Sequence, residues 1–167
     1  MTPADLLTDA FGRIRGLAYR VLDGLDDDAL AHRPGPDANP IGWLVWHSFR
    51  VQDDHVADVA GTEQVWTAQG FAGRFALAYD DAATGYAQSS ADVGAFAATA
   101  ELLAGYADAV TEATLGYVKG LAPDDLDRVV DTSWDPPVTL GVRLVSVVGD
   151  DFQHLGQAAY VKGLPSA

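Results

Sequence analysis

The sequence predicts an all-α protein, a four-helix bundle with a long connection between its second and third helices. Four long stretches repeat apolar residues at three- and four-residue steps, the single stripe of a helix that buries one face. The segments between them are rich in Gly, Pro and Asp, and neither a repeat nor a linker divides the 167 residues. Residues 1–167 therefore read as one domain, at a length where folding buries roughly 70 % of the surface an unfolded chain exposes. Four long helices around one core, joined by shorter connections, make a bundle.

The first helix spans Leu6 to Leu22, with Phe11, Ile14, Ala18 and Val21 on its apolar face. The turn-rich stretch that follows ends at Asn39-Pro40, which predicts an N-cap and a first-turn proline for a second helix running to Gly61. Residues 61–89 mix Gly, Thr, Gln and Asp with isolated aromatics and hold no period, so a long excursion is expected, with one short helix near Gly73 to Tyr79. Connections of this length are often lids or site walls. Ser89 or Ser90 caps a third, alanine-rich helix that continues to Lys119 and stops before Pro123. A short extended segment is expected at Arg128 to Thr132. Thr139 then caps a last helix that ends at Gly163.

Composition removes several function classes. The chain has 24 acidic and 10 basic residues, a formal charge of −14, which opposes a phosphate backbone or an anionic membrane at long range. Neither nucleic acid nor a membrane is expected as a partner. The N-terminal residues lack a basic region followed by an apolar run, and no uncharged apolar stretch reaches the roughly 18 residues of a membrane span, so a cytoplasmic location is expected. There is no cysteine, which excludes a protein thiol nucleophile, a Cys-based zinc site and an iron–sulfur cluster. Any thiol chemistry must use a thiol from outside. The wealth of Ala, Gly and Asp hints at a GC-rich genome.

Histidine and carboxylate are then the remaining strong metal ligands. His32 lies in the proline-rich turn and reads as a solvated loop residue. His55, eight residues after His47, is turned by about 80° on the helical wheel, toward another helix or solvent. His47 lies in W-L-V-W-H on an apolar face, where a buried imidazole needs a partner. Asp150 and His154 are four apart and project from one face of the last helix. With His47 from the second helix they would make a two-His, one-carboxylate site that holds a divalent ion and leaves positions open; the alternatives are a core histidine bonded to a backbone carbonyl or to Tyr, and a solvated acidic patch at Asp150 and Asp151. Asp151, three residues before His154, is the competing carboxylate; Asp150, in the apolar run V-S-V-V-G-D, reads as the more buried.

Two segments carry a family resemblance. R-P-G-P-D-A-N-P-I-G-W-L-V-W-H and D-D-F-Q-H-L-G-Q resemble the DinB-like superfamily of bacterial four-helix bundles, especially the branch of mycothiol-dependent enzymes such as maleylpyruvate isomerase. In that superfamily the second helix offers a histidine after W-L-x-x-H and the fourth offers H-x-x-x-H followed closely by G-Q. His154, Gly156 and Gln157 match directly. Asp150 stands where the commonest version has His and the isomerase-like branch has Glu, one methylene longer.

The resemblance implies a divalent metal, which Zn, Ni, Fe and Mn would all satisfy, and a low-molecular-weight thiol, mycothiol in actinobacteria or bacillithiol in bacilli, attacking a small electrophilic substrate. The GC-rich composition favours mycothiol and an actinobacterial source. The absence of cysteine agrees, since no protein thiol competes for the metal. Arg50 either offers a bidentate fork to a carboxylate of substrate or cofactor or pairs with Asp54. Gln157 either bonds a metal-bound water or caps a carbonyl. Trp43, Trp46 and Phe49 either line an apolar pocket or pack in the core. A thiol transferase or isomerase is the leading expectation; a metal-dependent hydrolase and a non-catalytic stress-response module are the alternatives. A homodimer is also expected, because bundles of this family often pair through helix faces.

Overall fold

A computed structural model describes residues 1–164. Four long helices form the bundle: α1 (Pro3–Leu22), α3 (Ile41–Ala60), α7 (Ala100–Val118) and α8 (Leu140–Lys162). They pack in a ring in which α1 touches α7 and α8, and α3 touches the same two from the other side. Phe11 and Ile14 of α1, Leu44 of α3, Leu103 of α7 and Leu140, Leu144 and Leu155 of α8 fill the centre with at most 1 % exposure. The all-α, four-helix expectation is met.

The local signals explain most boundaries. Thr2 caps α1 by accepting from the Asp5 amide, with Asp5 bonding back. Lys162, at the far end of α8, donates its Nζ to the carbonyls of Arg20 and Asp23 at 2.8 and 2.6 Å. It thereby closes the end of α1, where unpaired carbonyls and the helix dipole favour a cation. Gly61 ends α3 in the left-handed conformation, φ 67°. Thr139 caps α8, accepting from Val142 N.

Several boundaries differ from expectation. Helix α3 begins at Ile41, with Pro40 as an N-cap that has no side-chain bond; Pro40 is extended (ψ 157°), so it stays outside the first turn. The acidic turn holds a short helix, α2 (Asp27–Ala31), capped by Asp26. The third helix is not continuous from Ser89. A one-turn helix, α6 (Ser90–Gly94), is capped by Ser89, and α7 starts afresh with Thr99 accepting from Leu102 N. The break lets Phe96 turn inward beside the Trp46 ring, with centroids 5.6 Å apart. After a 3-10 turn at Pro123–Asp127, the extended segment is β1 (Val129–Asp131), which pairs antiparallel with β2 (Val138–Thr139).

The excursion from 61 to 99 also holds α4 (Val65–Ala68) and α5 (Phe71–Phe75); α5 overlaps the start of the expected Gly73 to Tyr79 helix and ends at Phe75, and α4 is an additional turn. Its aromatics follow no period because each is pinned separately. Trp66, Phe71 and Phe75 all pack on Tyr106 of α7, with centroids 5.3, 5.0 and 5.8 Å away. Beneath them lies a buried polar knot. Asp53 of α3 accepts from the Val65 and Trp66 amides at 2.9 and 2.8 Å and from the Tyr106 hydroxyl at 2.8 Å. Arg50, one turn earlier, sits 3.5 Å from Asp53 and under the Trp66 ring at 4.9 Å. Burial pushes the Asp53 carboxyl up, and the Trp66 and Val65 amides and Tyr106 oppose it.

Breaking a buried ion pair on one side leaves an uncompensated charge, which costs about 3–5 kcal/mol. Asp53→Ala is therefore expected to destabilise the protein by about that amount in urea unfolding, and to leave the 61–99 excursion open to proteolysis in native buffer.

Candidate metal centre

The side chains expected to ligate a metal meet between α3 and α8. One donor atom from each of His47, Asp150 and His154 lies within 4.8 Å of the others. His47 Nε2 is 4.0 Å from Asp150 Oδ2, and His154 Nε2 is 3.5 Å from Asp150 Oδ1. The two imidazoles meet edge to face, with centroids 4.6 Å apart at 78°. Asp150 Oδ2 is buried and lacks a hydrogen-bond partner among the described residues.

The proton positions follow from the outer partners. His47 Nδ1 is 2.5 Å from the Thr84 carbonyl, which can only accept, so the proton is on Nδ1 and the Nε2 lone pair faces Asp150. His154 Nδ1 is 3.1 Å from Gln157 Oε1; with the amide oxygen on that side, its Nε2 is likewise free. Trp43 stacks on His47 at 4.7 Å with the planes 13° apart and is fixed by its own bond to Gln88 Oε1, 2.8 Å. Two imidazole lone pairs and one orphaned carboxylate oxygen converging on one point are a donor set that fits a divalent ion.

The charges are arranged consistently. Burial pushes the His47 imidazole down, against the bond to Thr84. The Asp150 contact pushes His154 up, against burial. The Asp150 carboxyl is pushed up by burial, but His154, His47 and His55 together hold it below the usual range.

Thr84 is held by a feature that periodicity does not reveal. Gly85, φ 98°, lies so close that a Cβ there would sit 2.6 Å from His47 Nδ1 and 2.9 Å from the Trp43 ring. Only glycine permits both that conformation and that approach. The preceding carbonyl, Ala83, accepts from Arg50 Nε at 3.2 Å. The only hint of this strap in the sequence is the T-G pair.

Some expected roles are corrected. Arg50 does not face the cleft: it is wholly buried, bound to Ala83, Tyr106 and Asp53, and its carboxylate partner is Asp53 rather than Asp54. Gln157 orients His154. Asp151, not Asp150, is the more buried of the pair: its exposure is 0 %, while the Asp150 side chain keeps 34 %. One residue along a helix is a 100° rotation, which turns Asp151 into the core as Asp150 faces the histidines. Trp43, Trp46 and Phe49 are core residues. His32 is exposed at the end of α2, and His55 is half-buried beside Arg143.

Neither Asp151 oxygen has a hydrogen-bond partner among the described residues. Burial, and then the Asp150 charge, push its carboxyl well up. A raised folded pKa contributes stability that is fully present below the unfolded pKa, about 3.9, and is lost as pH rises through the folded value. In metal-free protein, wild type is therefore expected to lose stability relative to Asp151→Asn as pH rises from 4 to 8. Parallel urea titrations across that range measure the difference, and a pH-independent gap is the contrary result.

No helix of the described residues is long and apolar enough to cross a membrane. Among curated proteins no relative matches the chain. A solved structure, the crystal structure of the conserved protein of locus from Enterococcus faecalis, is similar with a TM-score of 0.90 and 27 % identity, covering 97 % of this chain and 96 % of that one. The sequence model described as mycothiol-S-transferase matches residues 6–164. With its four-helix frame and the His–Asp–His cluster between α3 and α8, the chain belongs to the mycothiol-S-transferase family, a DinB-like family.

Proposed function

We propose that the protein is a divalent-metal-dependent S-transferase that joins the sulfur of mycothiol to a small electrophile. The observation that carries this reading is the convergence of one donor atom each from His47, Asp150 and His154 within 4.8 Å of one another. The Thr84 carbonyl keeps the His47 proton on Nδ1, so that its Nε2 lone pair faces Asp150. His47, Asp150 and His154 would hold the ion; Zn, Ni, Fe and Mn all accept such donors. When bound, it supplies positive charge that favours the thiolate of an incoming thiol at neutral pH.

The chain's own residues do the rest. Thr84 and Gln157 hold the two Nδ1 protons. Asp150 contributes one negative charge and leaves the site net positive with a divalent ion. A cleft of about 550 Å³ opens from His47 and Asp150 to solvent, large enough for a small ligand. With no cysteine in the chain, the sulfur comes from the cofactor. In the transfer a carbon–sulfur bond forms, the bond from that carbon to the leaving group breaks, and the thiol proton passes to solvent.

Protein purified without an affinity histidine tag is expected to carry about one divalent ion per chain by elemental analysis. It should consume mycothiol in the presence of an electrophile such as monobromobimane, and His154→Ala should lose both properties. A metal-free wild type overturns the metal centre. Turnover that needs water and no thiol replaces transfer with hydrolysis.

A second expectation tests the strap. Gly85→Ala forces a Cβ onto His47 Nδ1, displacing the Thr84 bond. Loss of such an outer partner weakens metal binding about 10–100-fold, readable by competition with a chromogenic chelator.

A further inference from the structure

The cleft that begins at His47 and Asp150 reaches His55, two turns and about 12 Å further along α3. Val51 and Val147 line the stretch between. At its mouth stand two exposed aromatics, Tyr86 at 88 % and Trp134 at 67 % exposure. One belongs to the strap after Gly85 and the other to the loop between β1 and β2. Large aromatic rings left in water beside a cleft are surface that a ligand can cover.

His55 is set differently from the two histidines of the metal centre. Its Nδ1 lies 3.3 Å from Nη1 of Arg143, and a guanidinium can only donate. Nδ1 therefore accepts, and the proton of the neutral ring sits on Nε2. Arg143 is fixed by a 2.9 Å bond from Nη2 to Asp131 of β1. Burial, and next the Arg143 charge, push His55 down, against the pull of Asp54, Asp150 and Asp58, which keeps the ring neutral. Nε2 has no protein hydrogen-bond partner among the described residues. No lysine or arginine lines the cleft, and Arg143 behind His55 is paired with Asp131, so Asp54 makes this far end of the cleft, away from His47 and Asp150, disfavour an anionic group.

We propose that His55 is a ligand-binding residue: its Nε2–H donates to an uncharged acceptor, a hydroxyl or carbonyl oxygen, at the far end of a ligand whose body is covered by Trp134 and Tyr86. The reacting end lies at His47 and Asp150. This assignment rests on the S-transferase reading. It gives that site a specificity element about two helical turns from the chemistry. The acceptor oxygen can belong to the body of the thiol or to the electrophile-derived half of the product.

The test uses metal-loaded protein with mycothiol and with its S-bimane conjugate as probes. Trp134 serves as reporter, since Trp43, Trp46 and Trp66 are at most 5 % exposed. His55→Phe keeps a planar ring and removes the donor; His55→Gln restores an N–H. The phenylalanine variant is expected to bind roughly five- to tenfold more weakly, the worth of one hydrogen bond, and the glutamine variant to recover most of that loss. Metal content should be unchanged in both, because His55 donates rather than ligates. Weakening toward mycothiol itself places the acceptor on the thiol; weakening toward the conjugate alone places it on the electrophile-derived half. Wild-type affinity for both probes in the phenylalanine variant, or loss of its metal, overturns the assignment. A wild type that binds neither probe overturns it together with the S-transferase reading.

Discussion

The candidate metal centre depends on a carboxylate that does not belong to it. Asp53, six residues after His47 on the face of α3 that turns inward, gathers two amides of α4, the Tyr106 hydroxyl and the Arg50 guanidinium. Each of these groups would be costly to bury alone. Together they fasten the excursion to the bundle, and Arg50 passes the constraint to the Ala83 carbonyl. The next carbonyl along, Thr84, fixes the proton of His47. An ion pair in the core thus sets the tautomer of an imidazole at the surface cleft through one short piece of backbone.

The three histidines along the groove between α3 and α8 differ in what their Nδ1 atoms meet. A carbonyl at His47 and an amide oxygen at His154 leave lone pairs pointing into the centre. A guanidinium at His55 leaves the proton on Nε2. The same side chain therefore serves as ligand or as donor according to its outer neighbour, a distinction worth more to chemistry than burial.

Much of this was legible in the sequence because it depends on local spacing. The i, i+4 relation of Asp150 and His154 survives into three dimensions because α8 is regular there, and Thr139, Gly61 and Gly163 mark real helix ends. What failed depends on contacts far apart in sequence. Asp53 and Val65 are brought together by a turn with no period, Phe96 breaks the third helix to reach Trp46, and Arg50 is taken up by Tyr106 and Ala83 from distant parts of the chain. Asp151 misled for the opposite reason. Apolar neighbours in sequence say little about which of two adjacent residues faces inward, since a helix rotates 100° between them.

The strap around Gly85 has a mechanical side. Thr84 holds His47 and Tyr86 stands at the mouth of the cleft, so one residue in the left-handed conformation separates a grip on the metal ligand from a grip on whatever fills the groove. A glycine that cannot accept a Cβ is a stiffly seated pivot. A metal at His47 and a ligand on Tyr86 would meet the same three residues, and linkage requires that whatever help or hindrance the first to bind gave the second would be returned in equal measure.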